Sequence, residues 1–155
     1  MELGFYRFAN KEPNKLAIVG PNEELVSRGE LLSKANKLTH ALRDLGLKKF
    51  DTVAVVLPNS VEYFVVYMAC LQAGFYLVPI NWHLAGPEIA YILEDSEAKA
   101  FIASGKNPDM EKACINAVSE ISFDKKGCIT IDELEGFRHI DDCLLYTSPS
   151  PRDSD

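Results

Sequence analysis

Residues 51–81 read DTVAVVLPNSVEYFVVYMACLQAGFYLVPIN. The run from Val53 to Leu57 is rich in β-branched residues and stops at Pro58-Asn59, the pattern of a strand buried on both faces. Ser60 is placed to cap a helix, because its hydroxyl accepts from a free N–H of the first turn. Glu62 suits the positive end of that helix's dipole. The helix runs to about Ala73, where Gly74 supplies a left-handed stop. Residues 75–80 form a second apolar run, closed by Pro79 and Asn81. Strand, helix and strand in this compass predict one right-handed βαβ unit of a parallel sheet.

The rival is a membrane span, since residues 63–80 carry one strongly polar side chain, Gln72, and are long enough to qualify. Gly74 and Pro79 interrupt the stretch, and Asp51, Glu62 and Asp95 flank it in place of basic residues. A helix apolar all round also fits a position between a sheet and a second layer. That reading requires a cover for the helix, because an apolar patch left open favours self-association.

Outward from this unit, residues 15–19 and 24–26 predict a small hairpin around Gly20-Pro21-Asn22. A short amphipathic helix over residues 5–8, with Leu3, precedes it. Ser27 and Glu30 have the spacing of a capping box. The helix that follows places Leu31, Ala35, Leu38, Leu42 and Leu45 on one face and ends at Gly46. Asn36 and His40 fall near its polar side and read as surface residues. Beyond the central unit, Pro87 opens a helix over 88–93. Residues 100–103 predict a third core strand, and 110–118 a further helix. Residues 121–123 and 128–131 read as extended, and 131–137 as a short terminal helix. The fold class is therefore α/β: a partial three-layer domain whose mostly parallel sheet is built from βαβ units, preceded by a small N-terminal hairpin.

A length of 155 residues allows one domain with a real core. A net charge of −7 without a basic stripe argues against a nucleic-acid partner. Cys70, Cys114, Cys128 and Cys143 show no CxxC spacing, and His40, His83 and His139 form no metal-ligand pattern with them. With no export signal at the N-terminus, free thiols and a cytoplasmic location are expected. Residues 143–153, CLLYTSPSPRD, shift abruptly to Ser and Pro. They resemble the in-frame translation of the transposon-end adapter used for short-read libraries. On this reading, 1–142 is natural protein and 143–155 is not, and deleting the tail should leave stability unchanged.

In open α/β sheets ligands bind beyond the carboxyl ends of the strands. That singles out Pro58-Asn59, Asn81-Trp82-His83 and Ser104-Gly105-Lys106. Asn59 reads as a turn residue, and His83 has no identifiable partner for general-base work. Ser104-Gly105-Lys106 lacks the glycine spacing of a phosphate loop.

The ordered series LVSRGEL at 25–31, Asn36, DTVAVVLPN at 51–59, LQAG at 71–74, VPIN at 78–81 and 88–93 resembles the opening of the adenylate-forming (AMP-dependent) acyl-CoA synthetases. The run PINWHLAGPEI, from Pro79, is most similar to that of fatty-acid–CoA ligases, although many members carry Arg where this sequence has His83. The resemblance covers residues 3–103 well and 104–142 loosely. It implies a parent enzyme that uses ATP, magnesium and coenzyme A. A carboxylate, in this branch a fatty acid, attacks the α-phosphate to give an acyl-adenylate, and coenzyme A then displaces AMP. The family's Ser/Thr/Gly-rich loop ending in Lys, its downstream Glu, its ribose-binding Asp and its C-terminal Lys do not occur here. No catalytic, cofactor-binding or metal-binding residue can therefore be assigned, and the chain as given is expected to be inactive and to lack the C-terminal part of its own protein. The alternative is a stand-alone α/β binding or regulatory module without catalysis.

Overall fold

The structure, a computed structural model, describes residues 4–145. The Leu3 end of the expected first helix and residues 146–155 lie outside it. Helix α1 (Gly4–Lys11) leads to an antiparallel hairpin of β1 (Leu16–Val19) and β2 (Leu25–Ser27). Helix α2 (Arg28–Asp44) follows. The alternating series is β3 (Thr52–Val56), α3 (Val61–Ala73), β4 (Tyr76–Pro79), α4 (Gly86–Asp95), β5 (Ala98–Ala103), α5 (Pro108–Glu120) and β6 (Cys128–Thr130). A single 3-10 turn, Lys125–Gly127, precedes β6. Strand β7 (Arg138–His139) and helix α6 (Ile140–Cys143) end the described region.

The five-stranded sheet has the order β4-β3-β5-β6-β7, and every pairing in it is parallel. All five residues of β3 are buried, as a central strand with helices on both faces requires. The pleat sorts its side chains: Val53 and Val55 join the core under α2 and α3, while Ala54 and Val56 join the core under α4 and α5. Three layers result.

The expected punctuation is present. Ser27 and Glu30 exchange side-chain and backbone hydrogen bonds at 3.2 and 3.0 Å. Ser60 accepts from the Tyr63 N–H at 3.3 Å. Gly74 sits at φ +73°, and its N–H donates to the Cys70 carbonyl, which closes α3 where the sequence said it would. The apolar run 63–80 is thus a helix and a strand, and no helix among the described residues is long and apolar enough to cross a membrane.

Three expectations are corrected. Residues 121–123 form no strand: Ile121 caps α5, Ser122 turns at φ +50° and the Phe123 N–H returns to the Val118 carbonyl. Residues 131–137 form no helix before β7. Ile131, Leu134 and Phe137 have helical spacing, but Ile131 packs into the core on one side of the sheet and the other two on the opposite side. Asn36 is buried, not superficial. Both α1 and α3 pack on α2, so α2 buries Leu32, Asn36 and Thr39 in addition to its main apolar face. At the far end, Cys143 is fully buried and Leu144 packs partly against the core beneath α2. Packing therefore does not change at Asp142.

Candidate functional site

From β3 the polypeptide moves to β4 on one side and then returns past β3 to β5 on the other. The order of strands reverses there, and such a switch point opens a crevice at the carboxyl ends. A cavity of about 540 Å³ lies at this place, lined by Leu57, Pro58, Asn59, Trp82, Lys106, Asn107 and Met110. The three loops singled out from sequence thus meet: each contributes a lining residue.

The Ser104-Gly105-Lys106 segment is held from below. Ser104 is fully buried and donates to Asp132 Oδ2 at 2.5 Å. The Gly105 N–H donates to Asp132 Oδ1 at 2.7 Å, and the Thr130 hydroxyl to the same oxygen at 3.1 Å. The Lys106 N–H donates to Ser104 Oγ at 3.2 Å. A Cβ on Gly105 would lie 2.2 Å from the Glu133 carbonyl oxygen, so no other residue fits. One carboxylate therefore clamps the ends of β5 and β6 and fixes where Lys106 and Asn107 project. Neither sequence spacing nor composition marked Asp132 for this role.

Asn81 organises the second loop. Its Oδ1 accepts from the His83 N–H at 3.0 Å and lies 3.1 Å from His83 Nδ1. The Trp82 and His83 rings stack with centroids 3.5 Å apart. His83 is thus a member of a local turn, exposed, with its backbone and ring held by Asn81 and Trp82. Asn59 is exposed as a turn residue.

Lys106 is the cation among the lining residues, and Asn107 caps α5 by accepting from the Asp109 N–H at 2.9 Å. A lysine beside a helix N-terminus favours an anionic group. Asp109 and Glu111 in the same first turn oppose that field. The crevice can orient a ligand, but it holds no nucleophile–base pair. Among the described residues no group of three His, Cys, Asp or Glu side chains is placed to hold a metal ion. Asp132 spends its oxygens on the clamp, with Oδ1 accepting two hydrogen bonds and Oδ2 one. Three of the cysteines are also silent: burial pushes the Cys70 and Cys114 thiols up to about 12 and Cys128 to about 11, so these three remain protonated at neutral pH.

A second concavity, about 550 Å³, lies along α3 and is lined by Asn59, Ser60, Tyr63, Phe64 and Tyr67. Its walls are mainly aromatic.

The profile of a family described as AMP-binding enzyme matches residues 5–148. The long-chain-fatty-acid–CoA ligase FadD13 of Mycobacterium tuberculosis is 36% identical over 95 residues, which are 61% of this chain and 19% of that protein. The 2-succinylbenzoate–CoA ligase of Bacillus licheniformis is 30% identical over 146 residues, 90% of this chain and 30% of that one. A solved benzoate CoA ligase from Burkholderia xenovorans superposes with a TM-score of 0.79 at 24% identity, covering 95% of this chain and 28% of that one. The chain thus spans less than a third of each of these three proteins.

Proposed function

Because this chain belongs to the AMP-binding enzyme family, we propose that it is the opening segment of an ATP-dependent acid–CoA ligase. The observation that carries this reading is the family match over residues 5–148. The parent enzyme would join a carboxylic acid to ATP, release pyrophosphate and pass the acyl group from the adenylate to the thiol of coenzyme A. Similarity to a long-chain-fatty-acid–CoA ligase favours a fatty acid as substrate, and a cytoplasmic location accords with that substrate's soluble cosubstrates.

Within this scheme the segment is scaffold. Transfer at phosphorus needs cations and N–H donors around the phosphates. The described residues offer Lys106 and one helix N-terminus opposed by two acids. No group of three His, Cys, Asp or Glu among them is placed to hold a metal ion, and on this reading the magnesium and the reacting groups belong to polypeptide that follows this segment. The domain assignment follows: 1–142 as the incomplete N-terminal part of the AMP-binding domain, and 143–155 as translated adapter. The latter rests on the eleven-residue match alone, since the family profile runs on to 148 and Cys143 is buried.

Two measurements test this. Sequencing the genomic locus past the Asp142 codon should reveal a continuing frame with the family's Ser/Thr/Gly-rich loop. An immediate stop codon would favour the stand-alone module. The 155-residue protein with ATP, magnesium and a series of fatty acids should release pyrophosphate at the blank rate, while the parent enzyme should release it with at least one acid. Turnover by the short protein would overturn the scaffold reading.

A further inference from the structure

Helix α3 has an outer face unlike that of any other long helix among the described residues. Its exposed positions are Phe64, Tyr67 and Leu71, which are 49%, 46% and 57% exposed. Spacings of three and four put them on one stripe, roughly 10 Å long at 1.5 Å per residue. The groove of Tyr63, Asn59 and Ser60 continues it toward the helix N-terminus. The charged residue of α3, Glu62, lies in the first turn and off this stripe. The other helices of eight residues or more all expose charge: Arg7 and Lys11 on α1, Glu30 and Lys34 on α2, Glu88 and Glu94 on α4, Asp109 and Lys112 on α5.

The chemistry of the stripe narrows its occupant. A face that rests on a lipid surface is bordered by Lys or Arg, and α3 carries neither. The two tyrosines present an apolar ring with a polar tip, the composition of packed protein seams. Each relative reported above has more than twice as much polypeptide again as the part this one matches, and that remainder has to cover something. Beside α3, β4 is the end strand of the sheet, and no further strand among the described residues extends it on that side.

We propose that the Phe64–Tyr67–Leu71 face of α3 is an internal packing surface, covered in the parent ligase by the polypeptide that follows this segment. The proposal rests on the reading of the chain as the opening of a longer ligase. The α3 stripe is then a seam between the first-made layer of the domain and the rest of it, and the aromatic groove at its N-terminal end receives side chains of that later portion.

Hydroxyl-radical footprinting separates the outcomes without any mutation that unfolds the protein. The side chains of Phe64, Tyr67 and Leu71 should be oxidised in the 155-residue protein and lose that oxidation in the parent enzyme, while Tyr91 on α4, 67% exposed, should be oxidised at a comparable rate in the short protein. Equal oxidation of the stripe in both proteins would overturn the proposal. So would protection already present in the short protein that grows with its concentration, because a second copy would then be the occupant. As a second measurement, the combined variant Phe64→Lys, Tyr67→Glu, Leu71→Lys should keep the far-ultraviolet spectrum and melting temperature of the short protein and lower its binding of apolar dyes. In the parent the same variant should lose soluble expression. A parent that stays soluble and active with all three changes would sink the idea. The genomic locus tests the underlying reading separately: a continuing frame with an unprotected stripe fails this proposal alone, and a stop codon fails the reading.

Discussion

Helices α3 and α5 have the same length, 13 residues, and the same topological role, since each joins two parallel strands of one sheet. Their inner faces are alike. Val61, Val65, Ala69 and Ala73 of α3 are buried, as are Met110, Ala113, Cys114 and Ala117 of α5. Their outer faces differ. α5 exposes Asp109, Lys112, Asn116, Ser119 and Glu120, and α3 exposes Phe64, Tyr67 and Leu71. The inner faces report the sheet they share. The outer faces report what each helix meets outside it: water for α5 and, on the proposal above, more protein for α3. Two helices with one place in the topology are thus told apart by residues that contribute nothing to the fold as it stands.

Cutting an inner face should have the largest effect. Met110, 3% exposed, replaced by Ala should cost about 2–5 kcal/mol, and Val65→Ala about 1.5–3 kcal/mol, both read from urea unfolding of the 155-residue protein. If Val65→Ala were neutral, α3 would not be packed even on its inner side, and the comparison would break. Next comes the C-terminal stop of α3. Gly74→Ala forces a side chain into the left-handed region at φ +73° and should cost about 1–2 kcal/mol; an unchanged midpoint would show that the end of α3 is free to relax.

A finer contrast uses the two buried thiols. Cys70 on α3 and Cys114 on α5 are both raised to about 12 by burial. Neither reacts at pH 8 without local opening, so their alkylation rates compare the stability of the two helices. In the short protein, Cys70 should label faster, by about tenfold, equivalent to ~1.4 kcal/mol, because one side of α3 lacks a partner. Equal rates would mean that the bare stripe does not loosen its helix. The smallest effect lies in the ion pair between the two crossover units. Asp51, just before β3, accepts from the Lys48 N–H at 2.7 Å and from the Lys99 ammonium of β5 at 3.1 Å. These hold its carboxyl below the usual aspartate value of 3.8. A depressed carboxyl contributes stability above the ordinary value and loses it as pH falls through the folded one. Asp51→Asn should therefore remove that contribution at neutral pH and flatten the decline below about pH 4, the two proteins converging in stability at the acid end; an unaltered acid limb would show that the pair does not contribute.

The sequence was most legible where the cause lies within four residues. The Ser27–Glu30 box, the Ser60 cap and the Gly74 stop are all local, and all are present. Strand β3 could be read because burial on both faces leaves an unbroken run rich in β-branched residues. What could not be read depends on which elements become neighbours. Asn36 is buried because α1 and α3 return onto α2, and no pattern within α2 announces that. Residues 131–137 imitate a helix by spacing, yet their apolar members serve opposite faces of the sheet. The site shows the same division. The rule about strand ends found all three loops. Their convergence at one crevice depends on strand order, and the clamp depends on Asp132 bonding Ser104 across 28 positions of sequence. No periodicity spans that distance.

The order of the sheet also sets a timetable for synthesis. Each strand pairs with one made earlier: β4 with β3, β5 with β3, β6 with β5 and β7 with β6. On a ribosome delivering about 5–20 residues per second, β3 alone in this sheet waits for a partner still to be translated, and every later strand finds one already made. Helix α3 keeps a different schedule. Its inner face finds the sheet at once, and on the proposal above its outer face finds a cover only when polypeptide well past residue 142 has emerged. During that interval Phe64, Tyr67 and Leu71 would be the surface of the nascent protein that a holding chaperone meets first.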